Sequence, residues 1–253
     1  MRHSYILGLA MIVLAVPATA QERSFNFALR GGVATAPDYP GSNSYSAVPD
    51  LGFTFGALKW GSFNSGNGIG SIPNNGFSFR GAFNVIGSRD PADNPELAGT
   101  TDIDTAVELG FGVAYQETNW LAFAEVRQGF GGHSGVTGTL GADLIMRPSD
   151  RWTITAGPRI NLGNSEYAST YFGITPAEAG PSSFGEFAAD GGVLGAGLAV
   201  GATYRIDDNW AFESLVSYEK LMNDAADSPI TAIGSEDQWT VRFGLSRAFT
   251  LRF

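Results

Sequence analysis

His133 and Ser134 stand side by side in the glycine-rich run Gly131-Gly132-His133-Ser134-Gly135, and His133 is the only histidine beyond the first three residues. A histidine that takes a serine hydroxyl proton is the centre of much hydrolase and acyltransferase chemistry. Adjacent residues on extended backbone point to opposite faces, so these two share a proton only if the glycines kink the turn. The competing role is a structural hydrogen bond that orders the loop. A second group, Asp224, Asp227 and Ser228 with Glu236 or Asp237, is rich enough in oxygen to hold Ca²⁺. Its spacing, Asp224-Ala225-Ala226-Asp227-Ser228-Pro229, lacks the alternating ligands of a calcium loop, and a capped, ordered loop is expected instead. The chain has no cysteine, which removes disulfides, thiolate metal sites and cysteine nucleophiles. Gly195, Gly197 and Gly201 precede no helical pattern and so make no phosphate loop. No catalytic residue, metal or cofactor is assigned, and an enzyme centred on His133 is the second alternative.

The larger ionisable set is Arg30, Arg80, Arg127, Arg159, Arg205 and Arg242 with Glu108, Glu125, Asp143, Glu213 and Glu219. These fall mostly opposite the apolar residues of alternating segments. An Arg or Lys facing lipid at mid-bilayer costs about 2–4 kcal/mol, so in a membrane barrel they must point into the lumen, where both signs can pair. Such a network either fills and braces a narrow barrel or lines a selective path for small solutes.

The elements that position these residues are strands. The last stretch, Asp237 to Phe253, places Trp239, Val241, Phe243, Leu245, Phe249, Leu251 and Phe253 on one face and Gln238, Thr240, Arg242, Ser246 and Thr250 on the other. It exceeds the roughly 9–11 residues a strand needs to cross a bilayer. Comparable runs begin near Phe25, Val48, Trp60, Gly68, Phe77, Val107, Trp120, Gly138, Trp152, Leu194 and Trp210. Their connections alternate in length. Asn74–Gly76, Glu117–Asn119, Pro148–Arg151 and Asp207–Asn209 are tight, whereas 88–101, 164–191 and 223–237 are long. Short turns on one rim and long loops on the other are the pattern of outer-membrane barrels. Three tight turns run straight into Trp120, Trp152 and Trp210, as expected of an aromatic girdle at the periplasmic interface. The predicted fold is all-β: a closed transmembrane antiparallel barrel of about 12 strands, with 10 to 14 allowed, short periplasmic turns and long extracellular loops.

Residues 1–20 combine a short basic head, an apolar run from Tyr5 to Val16 and a small-residue end at Ala18-Thr19-Ala20. That is an export signal cleaved near Ala20, which leaves a single barrel domain over residues 21–253 in the outer membrane of a Gram-negative bacterium. Only 16% of residues are charged, yet there are 18 Phe, 8 Tyr and 5 Trp, so the aromatic residues need an apolar surrounding and lipid supplies one. The acidic balance, net charge -10, argues against nucleic acid as a partner.

Four segments carry a family resemblance: Ala36-Pro37-Asp38-Tyr39-Pro40-Gly41-Ser42 with Tyr45 and Pro49; Arg127-Gln128-Gly129-Phe130-Gly131-Gly132-His133-Ser134-Gly135; Thr170-Tyr171-Phe172-Gly173-Ile174-Thr175-Pro176-Ala177-Glu178-Ala179; and Leu221-Met222-Asn223-Asp224-Ala225-Ala226-Asp227-Ser228-Pro229-Ile230. Through them the chain resembles the MipA/OmpV family, named for the MltA-interacting protein, over nearly its whole length. The resemblance implies an outer-membrane barrel acting as a scaffold between a lytic transglycosylase and a peptidoglycan synthase, or as an envelope-stress component. A small-solute channel is the first alternative. The final strand is expected to pair with the strand near Phe25, and its aromatic end, Phe249 and Phe253, resembles the signal read by the barrel-assembly machinery. Arg247 interrupts the apolar face and is expected to snorkel at the periplasmic interface.

Overall fold

The computed structural model describes residues 23–66, 68–69 and 75–253, except the side chains of residues 64 and 65. The expected export signal, and Asn74 of the expected tight turn, lie outside the described residues. Strands follow in chain order: β1 (Ser24–Pro37), β2 (Tyr45–Trp60), β3 (Phe63–Gly66), β4 (Gly76–Ile86), β5 (Ala106–Gln116), β6 (Trp120–Gly131), β7 (Val136–Ser149), β8 (Trp152–Gly163), β9 (Gly192–Arg205), β10 (Trp210–Leu221) and β11 (Asp237–Arg252). All ladders are antiparallel, in the order β3-β2-β1-β11-β10-β9-β8-β7-β6-β5-β4. Ten long strands therefore form the wall of a nearly closed barrel, at the lower bound of the expected range. β3 is a four-residue appendage that pairs only with Ala57–Trp60. The strand expected from Gly68 does not form at residues 68–69. Gly66 and Gly68 both hold positive φ, 86° and 79°, which breaks extended backbone. β2 and β4 close the ring side by side without a ladder; a Cβ built on Gly81 of β4 would lie 3.4 Å from the Phe53 ring of β2.

The registers separate two faces. Phe27 opposes Phe249 where β11 closes on β1, and Arg30 opposes Ser246 one face over. The outer set is apolar on every long strand, with Val33, Leu51, Phe77, Phe111, Leu144, Leu198 and Phe243 among its exposed members. A soluble monomer seldom leaves so continuous an apolar band in water. The band has no apolar helix to accompany it: no helix among the described residues is long and apolar enough to cross a membrane.

The long connections share one rim and are not featureless. They contain α1 (Ser165–Phe172), α2 (Pro176–Ala179), α3 (Asp224–Asp227), α4 (Pro229–Ile233) and a 3₁₀ turn at Pro95–Leu97. These elements are too short to register as a helical period in sequence, and local caps define them. Asn164 Oδ1 accepts the Tyr167 backbone N–H at 3.0 Å, and Glu178 Oε2 accepts that of Thr175 at 2.9 Å. Pro176 and Pro229 occupy first-turn positions of α2 and α4, where a missing N–H costs nothing. Two apolar clusters hold the cap together. One gathers Ile103, Ala168, Tyr171, Phe172, Leu194 and Leu221; the other joins Tyr39, Leu97, Ile174, Phe184 and Ile230.

Candidate functional site

The lumen is crossed by ion pairs between strands. Arg30 on β1 binds Asp50 on β2 bidentately, Nε–Oδ2 2.8 Å and Nη2–Oδ1 3.2 Å, and reaches Glu213 on β10 at 3.2 Å. The inward site beside it on β2 is Gly52, where a Cβ would sit 2.7 Å from the guanidinium carbon. Glycine there makes room for the arginine. On the other side, Arg127 joins Glu108 and Glu125, both at 3.2 Å, and donates to Thr139 Oγ1 at 3.1 Å. Arg80 Nε approaches Glu125 Oε1 to 2.5 Å, an ion pair by distance whose N–H is not aligned for a hydrogen bond. Arg159 Nη2 holds both Asp143 oxygens, at 2.8 and 3.0 Å. The Phe123 ring lies between Arg80 and Arg159, 4.1 and 5.0 Å from its centroid.

A buried carboxylate must have its lone pairs occupied. Glu108, 1% exposed, meets that demand through Asn84 Nδ2 and Thr137 Oγ1, each at 2.8 Å, besides Arg127. Arg205 stands apart from this group, donating to the Asp150 carbonyl at the short-turn end. Glu219 and Arg242 face the lumen without an ion pair to any described residue. Asp50, Thr137 and Asn161 are network members that sequence reading did not single out. Asp50 lies on the polar parity of its strand, and that parity was the available signal.

His133 is buried at the junction of lumen and cap. Its ring packs edge-on against Tyr167 and Tyr171, with centroids 5.1 and 5.5 Å away. Nδ1 accepts the Gly135 backbone N–H at 3.2 Å, so Nε2 carries the proton of the neutral ring. Nε2 stands 3.5 Å from Glu108 Oε1 without hydrogen-bond alignment. Burial lowers the His133 pKa below its ordinary value, against the pull of Glu108 and Glu166. Ser134 does not meet this ring; its hydroxyl donates to Glu166. The glycines do kink the turn, Gly131 with φ 95° and Gly132 against the Asp104 carbonyl, but the kink delivers His133 to Glu108 and not to Ser134.

The four segments that carry the family resemblance converge in the cap. Pro37 ends β1 and Asp38 N–H bonds the Ser44 carbonyl, while Gly41, φ 93°, packs on Thr231 and donates to Gln238. Tyr39 is buried and donates to Glu96 at 3.0 Å; burial first and that bond second push its pKa up to about 12. Ser42 and Ser228 are fully buried, and Ser228 Oγ ties α4 to the Phe172 carbonyl at 2.7 Å. Gly173 ends α1 by donating to the Ser169 carbonyl. Arg89, 2% exposed and absent from the sequence-based site, donates to the Tyr171 carbonyl at 2.8 Å. Asp224 accepts the Asp190 N–H, and no group of three acidic, His or Cys residues among the described ones is arranged to hold a metal. Asp227 sits at the C-terminal end of α3, and Pro229 opens α4.

Trp120, Trp152 and Trp210 all lie at the short-turn rim, each the first residue of its strand and each partly exposed. Tyr115 and Tyr204 flank the first two rings at 5.5 and 5.0 Å. Arg247 lies over Trp210 at 5.3 Å and over Phe249 at 5.2 Å. Phe249 stacks on Phe27, and Phe253 meets Trp60 edge-on.

The family described as MltA-interacting protein MipA matches residues 29–249 of the chain. No curated protein matches it. Among solved structures, an outer membrane channel (COG4313) from Pseudomonas putida F1 aligns over 95% of this chain and 100% of its own, at 10% identity and TM-score 0.43. OprD, an outer membrane protein from Pseudomonas aeruginosa, aligns over 89% of this chain and 66% of its own, at 11% identity and TM-score 0.34. OmpT, an outer membrane protein of Vibrio cholerae, aligns over 93% and 100%, at 8% identity and TM-score 0.34.

Proposed function

From the chain's membership of the MltA-interacting protein MipA family, we propose that it is a non-enzymatic outer-membrane barrel whose periplasmic, short-turn rim holds a lytic transglycosylase. A peptidoglycan synthase is the second client, by the family resemblance. The observation that carries the reading is the contrast of the two ends. The long-loop end is filled by its own apolar clusters, while the turns of the other rim expose Asp150, Arg151, Asp207 and Asp208. The family segments are used up in holding the cap together, which leaves the turns as the free protein-binding face. The outward apolar band faces outer-membrane lipid, residues 1–20 direct export before cleavage near Ala20, and Phe249 with Phe253 serve the barrel-assembly machinery.

The test is capture of a purified lytic transglycosylase by the folded barrel in detergent. Reversing the rim charge with Asp150→Lys, Asp207→Lys and Asp208→Lys together is expected to abolish capture while heat-modifiable migration stays intact. Undiminished capture by that variant would remove the turn rim from the interface. Planar-bilayer recordings are expected to show no steady conductance; a stable open pore would favour the channel reading instead.

A further inference from the structure

The barrel contains a chamber of about 290 Å³ just below the cap, lined by Arg80, Glu125, Asp143, Arg159, Glu219 and Arg242 among others. Its size is at the lower end of small-molecule sites, which begin near 300 Å³. Four of those six charges are already spent on each other, Arg80 with Glu125 and Arg159 with Asp143. The remaining two are not. Arg242 makes no hydrogen bond and no ion pair to any described residue, although its guanidinium carries five donors. Arg30, Asp50 and Glu213 are its charged neighbours, and Arg30 engages both of those carboxylates. Among the described residues Glu219 has the Asn161 amide as partner, whose own oxygen is taken by Thr139, and no cation in ion-pair reach. Gly195 stands beside it; a Cβ there would lie 2.0 Å from Glu219 Oε1. Phe123, Ala199 and Leu215 add apolar surface to the lining, and Ser217 is the inward residue of β10 between Leu215, which opposes Arg242, and Glu219.

We propose that this chamber binds a small zwitterion, its carboxylate on Arg242, its ammonium on Glu219 and a short apolar stem against Phe123 and Leu215. Charge-assisted bonds at both ends of one small molecule satisfy two groups that the fold leaves open. The cap closes the long-loop end above the chamber. This site is independent of the scaffold reading.

The experiment is isothermal titration of the full barrel in detergent with ω-amino carboxylates from 3-aminopropanoate to 6-aminohexanoate, against hexanoate and hexylamine. At least one zwitterion is expected to bind tenfold or more tightly than either single-ended probe. Arg242→Gln and Glu219→Gln are each expected to erase that preference, while Arg205→Gln, outside the chamber, keeps it. Equal affinity for zwitterion and single-ended probes in the wild-type protein, or no saturable heat with any, would overturn the proposal whatever the variants do. If a variant fails to fold, Gly195→Ala supplies the second arm, since its methyl group displaces the Glu219 carboxylate. Capture of the transglycosylase by Arg242→Gln is expected to be unchanged, which keeps failure of the chamber distinct from failure of the scaffold.

Discussion

The two ends of this barrel are built by different means. At the short-turn end the Asp207 turn is closed by its own residues, Asp207 accepting the Asn209 and Trp210 N–H groups at 2.8 Å within four residues of chain, and neighbouring turns are joined by single contacts such as Arg205 to the Asp150 carbonyl. At the long-loop end the decisive contacts join distant segments, such as Ser228 to Phe172 and Arg89 to the Tyr171 carbonyl. A turn closed mainly by its own residues depends little on distant neighbours, whereas the cap stands or falls as a unit. The difference teaches that the long loops of this chain are a second core, stacked on a lumen whose charges brace the wall.

Substitutions can break that contrast, and the largest effect is expected where cap and lumen meet. Glu108→Ala leaves Arg127 and His133 facing a vacated site, at a cost of about 3–5 kcal/mol, the usual range for half of a buried pair. Urea unfolding of the barrel in detergent should show the loss, and a stability within 1 kcal/mol of wild type would deny the junction its role. Next comes Leu97→Ala, which opens a cavity under Tyr39 and Ile230 at about 2–5 kcal/mol. Because the contact belongs to the cap alone, limited proteolysis should cut residues 88–101 and 173–191 first while the wall remains heat-modifiable. Simultaneous loss of wall and cap would mean that the two are one cooperative unit.

A change of pH sharpens the same comparison. Burial alone would raise the Glu178 pKa, but the Thr175 and Thr101 backbone N–H groups outweigh it and hold the carboxyl at about 2. A carboxylate depressed on folding contributes its full stability above the unfolded pKa, about 4.3, and loses it progressively as pH falls toward 2. Hydrogen exchange at Thr101 and Thr175 should therefore accelerate over that window, and Glu178→Gln should flatten the dependence. The smallest effect belongs to the turn rim. Arg247→Ala removes an exposed cation–π contact with Trp210 worth about 0.5–1 kcal/mol, and the cap should keep its proteolytic pattern.

Much of the wall was legible from residue order, because a period of two is a property of the strand itself. The faces of β5, β6, β8, β10 and β11 follow directly from alternation, and Trp120, Trp152 and Trp210 follow from the turns that precede them. Alternation also put Arg30, Arg127 and Glu213 on one face. It could not pair them: Arg30 chooses Asp50 and Glu213 through two different ladders, and each ladder register is set by a hairpin or by closure. Of the run expected from Gly68, residues 68–69 are not extended, since Gly68 holds positive φ and alternating apolar residues in a glycine-rich run say little about φ; its remaining residues lie outside the described ones. The cap was the least legible part, since α1 to α4 are shorter than any window that reveals a helical period.

By itself, then, the sequence determined an antiparallel wall, its two faces and the rim that carries the short turns, since all three depend on neighbours two to four residues apart. Only the tertiary structure decided that His133 turns to Glu108 while Ser134 turns to Glu166. The same holds for the four loop segments that pack into one cap, and for Arg242 and Glu219, which line one chamber without an ion-pair partner among the described residues. Those outcomes rest on side chains brought together from separate strands and loops, whose meeting depends on the closure of the whole ring and leaves no periodic trace along the chain.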